Sequence, residues 1–489
     1  MKKILKEKYV WLIMGVATLI VAMYSTINPF FHNTLTTDQA VFFTIAKGLL
    51  NGKLAYVDFF DHKGPLLYFI LAFGLILGQG TVGNFVIELF IIFISMALLY
   101  KTARLYTEKP FALLGVLLIF FSDIRLFTSS NSEEYIFPLL VGSVYLLFWQ
   151  IKNGNSYTRT FIIGVCGILV FFIKFNYCLI WVGLAAVYFI VMLSIKTNLQ
   201  VKLKTIGAFL AGLVIGAIPF LIYLFATNSF KSFIDTYVLY SYYYAGYTAT
   251  GDRIACVQFL LSNTLVIFIL ISILYLLFLM IKKPENEPIT ALSLFLWLLI
   301  AAGIIIVTAS PGKSWGYYKQ ATMGIYILPI ALSLQWVYTL LKKKWHSVLG
   351  FVAVILFCGI GMRGKLNVDS FRITPDLRGE SARKISELIN EETDENDTMI
   401  SYSNDCTMYF YSDCSVASRI FFPSAAIVDD ALQKELMTDL KEKKPKIVTM
   451  QSEWKAGLSE EMILETENYI YENYDEYYVD EYRIVYKRK

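Results

Sequence analysis

The sequence predicts an α-helical polytopic membrane protein of about 11 transmembrane helices, with a small extracytoplasmic α/β domain at its C-terminal end. Three observations lead there. Hydrophobic residues make up 56% of the 489, charged ones 17%, and the mean hydropathy is +0.55, which excludes an ordinary soluble enzyme. Apolar runs of about 20 residues recur, each long enough to cross a hydrocarbon core about 30 Å thick as a helix. Charge is split: the first 362 residues carry about +13 and the rest about −9. The chain therefore divides into a membrane domain, 1–362, and an acidic tail, 363–489, the size of one small domain. The net charge of +4 gives no reason to expect a nucleic-acid partner.

Met1 to Tyr9 is basic and precedes an apolar segment with no small-residue cleavage site after it, so the first span stays uncleaved. Apolar segments follow at 9–29, 65–79, 85–106, 109–127, 135–151, 159–173, 176–195, 205–227, 256–281, 288–308, 318–340 and 346–362. The basic groups are KKILKEK, Lys101/Arg104/Lys109, Lys152/Arg159, Lys196/Lys202/Lys204, Lys282/Lys283 and Lys342/Lys343/Lys344. They fall on alternate connections, as cytoplasmic ones should, only if 65–79 does not span. At about 1.5 Å per residue that segment reaches roughly 22 Å, so it reads as re-entrant or lying at the outer surface. The topology that results has its N-terminus inside and its tail outside. High Lys and Ile usage together with the uncleaved start suggests a bacterial plasma membrane. Eight acids then fall on outer connections: Asp38, Asp58, Asp61, Asp123, Glu133, Glu134, Asp235 and Asp252.

In the tail, SARKISELINEE is amphipathic with Ser381 as its N-cap. TMISYS, KIVTM and EYRIVYKR alternate as strands do, and DDALQKELMTDLKEK and SEEMILETENYIYEN follow a helical period. Cys406 and Cys414 either pair in an oxidising space or stay as two thiols.

The first outer loop, about 30–84, concentrates the chemistry. Asp38 opens an amphipathic stretch at the membrane boundary, where a carboxylate can take a proton from a hydroxyl arriving from water; Thr36-Thr37-Asp38 is equally good helix-capping chemistry. Asp61, His62 and Lys63 stand directly before Pro65, which starts an apolar helix. Lys63 suits a lipid phosphate, and Asp61 with His62 suits a divalent metal or the positioning of an acceptor; the bland alternative is a snorkelling interfacial anchor. Glu133 and Glu134 could complete a metal site with Asp61 or simply favour a helix N-terminus. Lys174 is a lone cation between apolar runs, either functional or an end-anchor. Lys313, Trp315, Tyr317, Tyr318 and Lys319 mix cations with aromatics, suited to a phosphate and a sugar ring or to an interfacial belt. Six tyrosines in 228–255, Tyr237, Tyr240, Tyr242, Tyr243, Tyr244 and Tyr247, stand with Lys231 and Asp235; tyrosine stacks on sugar faces, but here they read as interfacial rather than catalytic. No Walker loop, dinucleotide fingerprint, H-E-x-x-H or cysteine cluster is present. Charge lies in loops rather than along spans, which argues against an ion-coupled carrier.

These residues resemble the motifs of the membrane-embedded GT-C glycosyltransferases, in the branch of the protein O-mannosyltransferases and the aminoarabinose–lipid A transferase. The early loop acid is matched by Asp38. The "G…Y.D..(E/D).K.P" stretch is matched by Gly52, Tyr56, Asp58, Asp61, Lys63 and Pro65. A second-loop acid resembles Glu133 or Glu134, and an aromatic-basic run into "Q…LP" is matched by Tyr317, Tyr318, Lys319, Gln320, Leu328 and Pro329. Gly64 stands where many relatives have Pro. The resemblance implies a polyprenyl-phosphate sugar donor, an envelope glycopolymer, lipid or protein as acceptor, and a divalent ion near Asp61 and Glu134. It makes Asp38 the base, Lys63 with Lys174 or Lys319 the phosphate contacts, and Tyr56, Asp58, Tyr317, Tyr318 and Gln320 substrate contacts. A lipid-linked oligosaccharide ligase or polymerase shares this loop chemistry, and a glycolipid flippase is a reading from another class.

Overall fold

The computed structural model describes residues 7–30, 35–128, 130–194, 198–248, 252–282, 288–341, 377–426, 429–451 and 458–489. The last apolar segment, 346–362, the boundary at 362/363 and the basic residues Lys2, Lys3, Lys6, Lys196, Lys283 and Lys342–Lys344 lie outside them. The chain runs through α1 (Glu7–Ala22), α2 (Thr37–Leu50), α3 (Pro65–Leu77), α4 (Val82–Arg104), α5 (Lys109–Ser122), α6 (Ser132–Asn153), α7 (Tyr157–Phe171), α8 (Cys178–Ser194) and α9 (Leu199–Ala226). Further helices cover Arg253–Leu261, Val266–Lys282, Pro288–Ala309 and, after Tyr318–Met323 and a tight turn, Ile327–Leu341.

Among the described residues five helices are long and apolar enough to cross a membrane: Val82–Arg104, Ser132–Asn153, Leu199–Ala226, Thr290–Ala309 and Tyr318–Leu340. The segment expected to span at 256–281 is instead two helices bent by 87°. Ser262-Asn263-Thr264 explains the break, because the Ser262 hydroxyl donates back to the Phe259 carbonyl and the Asn263 side chain accepts from the Leu265 N–H. The predicted spans near 109–127, 159–173 and 176–195 appear as shorter apolar helices. So does α3, whose 13 residues reach about 20 Å.

Two compact units make up the chain. The first holds 1–25, 86–219 and 248–371. Inside it α7 and α9 cross at backbone contact: a Cβ on Gly164 would lie 2.3 Å from the Phe209 carbonyl oxygen, and one on Gly212 would lie 2.1 Å from that of Phe161. Only glycine permits that approach. Trp297 donates its indole N–H to the Ile325 carbonyl at 2.7 Å while its ring meets Phe148 edge-on, tying the helix Pro288–Ala309 to the rest of the unit.

The second unit holds 26–85, 220–247 and 372–489. Its sheet has the order β2-β1-β3-β5-β4, with β1 Thr398–Tyr402, β2 Ser415–Val416, β3 Ile447–Gln451, β4 Tyr474–Val479 and β5 Arg483–Arg488. β2, β1 and β3 are parallel, and β5 pairs antiparallel with both β3 and β4. The two expected helices form, capped by Asp429 and Ser459. Ser381, however, is not an N-cap: its helix begins at Leu377, and its hydroxyl donates to Asp480 at 2.6 Å and accepts from Arg483 at 2.8 Å. Cys406 and Cys414 are both free thiols and buried; burial pushes the first well up and the second up to about 11.

Within this unit the acidic tail packs against residues 43–60. Lys47 of α2 donates to the Ser412 carbonyl at 2.6 Å and the Phe410 carbonyl at 3.2 Å. Phe60 donates its backbone N–H to the Arg419 carbonyl at 2.7 Å, Phe43 meets Phe410 at 5.1 Å, and Phe59 meets Phe421 edge-on at 5.6 Å.

Candidate functional site

Asp38 sits in the first turn of α2, whose cap is Thr36 rather than Asp38. The Thr36 hydroxyl accepts from the Gln39 N–H and the Gln39 side chain accepts from the Thr36 N–H, a reciprocal capping box. The helix start is thus satisfied without Asp38, whose carboxylate is half-buried and has no hydrogen bond or ion pair among the described residues. The capping reading of Asp38 therefore falls away, and its charge is left for something else.

The loop that follows is tightly held. Asp58 accepts the Leu54 N–H at 2.6 Å and so closes its own turn. Tyr56 adopts a φ of +69°, unusual for a bulky residue, and donates its hydroxyl to the Lys63 carbonyl at 2.7 Å. Tyr56 and Asp58, expected to touch substrate, shape this loop in the structure.

Asp61, His62 and Lys63 form a short chain of polar contacts. Asp61 is 3% exposed and accepts the Tyr68 hydroxyl at 2.6 Å. Its other oxygen lies 3.5 Å from His62 Nδ1, and His62 Nε2 lies 3.2 Å from Lys63 Nζ. An ammonium can only donate, so it meets a bare Nε2, and the ring proton then sits on Nδ1 facing Asp61. Burial pushes the Asp61 carboxyl above its usual range, and the nearby Asp38 charge adds to it, against the lowering pull of Lys63 and the Tyr68 bond. Lys63 is itself buried, its ammonium 5.6 Å from the Phe42 ring centre. His62 is flanked by Tyr244 at 5.0 Å and Tyr240 at 5.9 Å, and Tyr240 donates to the Ala425 carbonyl at 2.7 Å. These two tyrosines and Tyr68 were not readable as site residues: Tyr240 and Tyr244 lay among four others, and Tyr68 lies inside an apolar helix.

The first unit holds a second cluster. Glu133 and Glu134 occupy the first turn of α6, both fully buried. Lys174 pairs with Glu133 at 2.6 Å, and Tyr177 donates to the same oxygen at 3.3 Å. The Lys174 ammonium also lies 4.6 Å from the Tyr318 ring centre and 5.5 Å from that of Tyr317. Glu134 accepts the Ser130 N–H at 2.8 Å. Ser130 in turn donates its hydroxyl to Glu88 of α4 at 3.3 Å, and Ser25 donates to that Glu88 oxygen at 2.8 Å. Lys319 donates to the Ser262 hydroxyl at 2.9 Å, and Gln320 is buried. Among the described residues no three His, Cys, Asp or Glu side chains stand together as metal ligands. Glu133, one of the expected ligands, is already neutralised by Lys174. The described residues thus offer no grouped set of ligands for a divalent ion.

No family model matches the chain, and no curated protein does. Solved structures do. ArnT from Cupriavidus metallidurans bound to undecaprenyl phosphate is similar over 97% of this chain and 97% of its own, with a TM-score of 0.67 and 11% identity. The Archaeoglobus fulgidus oligosaccharyltransferase AglB, in complex with an inhibitory peptide and a dolichol-phosphate, is similar over 99% of this chain and 74% of its own, with a TM-score of 0.52 and 12% identity. The same archaeal enzyme, in complex with Zn and sulfate, scores 0.51 at 11% identity over 98% and 73%. This chain shares the fold of those structures. Within that fold, Asp38 and the Asp61–His62–Lys63 chain share one compact unit, while the Glu133–Lys174 pair belongs to the other.

Proposed function

We propose that this protein is a membrane glycosyltransferase that moves a sugar from a polyprenyl-phosphate donor to an extracytoplasmic acceptor, in one inverting displacement. The observation that carries the reading is Asp38: a half-buried carboxylate left out of its helix cap, near enough to Asp61 to raise that carboxyl, in a chain of GT-C fold. Asp38 takes the proton of the acceptor hydroxyl as that oxygen attacks the anomeric carbon. The bond from the anomeric carbon to the phosphate oxygen breaks, and polyprenyl phosphate leaves with the electron pair. Lys63 offsets the charge growing on the phosphate, and its dry setting against Phe42 strengthens that attraction. His62 and Asp61 hold the lysine in place. Lys174 is engaged by Glu133, so the phosphate role falls to Lys63 first.

The whole-length, two-way match to the aminoarabinose transferase favours single-sugar transfer over an oligosaccharide ligase, whose archaeal example is the longer chain. We place the enzyme in a plasma membrane, N-terminus cytoplasmic and tail outside, with an envelope glycopolymer, lipid or protein as acceptor.

The test is label transfer from a panel of radiolabelled polyprenyl-phosphate hexoses to total envelope acceptor, using purified protein in detergent. Asp38→Asn should lower transfer by roughly 10²–10⁴-fold, the size of a general-base contribution. Transfer by the wild type should survive a chelator. An active Asp38→Asn enzyme would sink the mechanism, and chelator-sensitive transfer would bring a metal back into it.

A further inference from the structure

An apolar cavity of about 310 Å3 opens between α6, α7, α8 and α9. Leu147, Ile163, Leu184, Ala185, Phe189 and Phe209 supply its walls, and every residue lining it belongs to the first unit. On the outer faces of the same helices Val182, Ile190, Leu203 and Leu210 are exposed, as side chains facing lipid are. The crossing at Gly164 and Gly212 locks α7 against α9 on one side of the cavity.

One end of the cavity is polar. Thr160, Tyr188, Thr205 and Lys202 line it there. The Gln150 side-chain oxygen accepts from the Thr160 hydroxyl at 3.1 Å and from that of Tyr188 at 3.0 Å, while Asn155 donates to the Thr205 hydroxyl at 2.8 Å. The Gln150 side-chain nitrogen is buried with no hydrogen-bond partner among the described residues. A buried donor left unmet costs free energy and is usually satisfied by something bound.

The charge at this end has one sign. From Tyr135 to Ile234 the sequence holds no Asp or Glu at all, yet Lys152, Arg159, Lys202 and Lys204 gather where α6, α7 and α9 meet the interface. Lys152 is directed to the Leu105 carbonyl, and Arg159 lies flat on the Trp149 ring at 3.4 Å. Lys202 is the cation that lines the cavity, and no acid within 30 residues of it on either side offsets its charge.

We infer that this cavity is a binding site for one membrane phospholipid with an anionic headgroup. One acyl chain lies among the apolar walls, the ester region meets the Thr160, Tyr188 and Gln150 cluster, and the phosphate meets Lys202. Basic pockets between membrane helices on the cytoplasmic side suit such lipids, and by the same rule this basic end is the cytoplasmic one. Lys174, by contrast, lies just past the opposite end of α7, about 20 Å along that helix. The lipid is therefore a structural ligand that braces α7, α8 and α9 at the end of α7 opposite Lys174.

Native mass spectrometry of delipidated protein tests this, with phosphatidylglycerol and phosphatidylcholine of identical acyl chains as probes. Phosphatidylglycerol should be retained one to one and should raise the melting temperature, with phosphatidylcholine held more weakly. Lys202→Gln, a half-exposed position that should fold normally, should weaken phosphatidylglycerol roughly fivefold. Ala185→Trp, which fills the cavity, should abolish retention of both. The proposal is overturned if the two lipids bind alike, if neither variant changes retention, or if undecaprenyl phosphate rather than phosphatidylglycerol is the lipid that Ala185→Trp displaces.

Discussion

On the proposed mechanism one side chain, Asp61, sets the pH behaviour of transfer. Its ionised form is needed to hold His62 and Lys63, yet burial holds its carboxyl above the usual range. Transfer should therefore fall on the acid side at a higher pH than an exposed carboxylate would give. The Tyr68 hydroxyl, 2.6 Å away, favours the ionised form. Tyr68→Phe should move the acid limb of the pH–rate profile upward while leaving the plateau rate nearly intact; an unmoved limb would remove Asp61 from the mechanism. The stability consequence has the opposite sign to that of most carboxylates. A raised native value means that Asp61 supports folding below the unfolded carboxylate range, and that this support is lost as pH rises past the native value.

Two elements translate sequence into placement most directly. The capping box on α2 follows from T-x-x-Q alone, a pattern present in Thr36 and Gln39 and readable without coordinates. Thr36→Ala should cost about 1 kcal/mol of stability and loosen the turn carrying Asp38, measured as a lower melting temperature together with a raised acceptor KM. In the tail, β5 opens on Arg483, fully buried, which pairs with Asp405 and donates to Ser381. Burial alone would raise Asp405, but the Arg483 charge, the Thr407 bond and Arg378 outweigh it and hold it below its usual range. Asp405 thus stabilises the fold above the unfolded carboxylate range and loses that effect as pH falls through its native value. Arg483→Met leaves the buried Asp405 carboxylate with only the half-exposed Arg378, at 3.4 Å, as its cation and should cost about 3 kcal/mol at neutral pH, with Asp405→Asn restoring much of it; equal stability of single and double variants would refute the pairing. What the pattern of residues could not reveal was the long-range pairing. Glu133 and Lys174 each looked like a candidate site residue, and nothing 41 positions apart in an apolar chain marks them as partners. β4, with its exposed Asp475, Glu476 and Tyr477, escaped notice because an edge strand needs no buried alternation. The loop acids and Lys63 stood out because charge is scarce elsewhere in the membrane domain.

At the scale of the whole molecule, the composition break near 362 and the compact units run along different lines. Charge separates body from tail, but packing joins the tail to residues 26–85 and 220–247. The reason is physical: Phe43, Phe59 and Phe60 need cover, and the rings and carbonyls of 406–425 supply it. Deleting 377–489 should therefore uncover α2 and the Asp61 loop, seen as protease cleavage within 37–63 that the full chain resists; continued protection would contradict the packing. The Lys47–Ser412 contact closes across 365 positions of sequence. A ribosome adding about 5–20 residues per second leaves α2 waiting roughly 20–70 s between its own synthesis and the arrival of that partner. During that interval Phe43 and Phe59 have no tail to cover them. Newborn chains of this protein should be vulnerable to quality-control proteases until the tail emerges, and a slow codon run between the codons for Lys47 and Ser412 would lengthen that exposure.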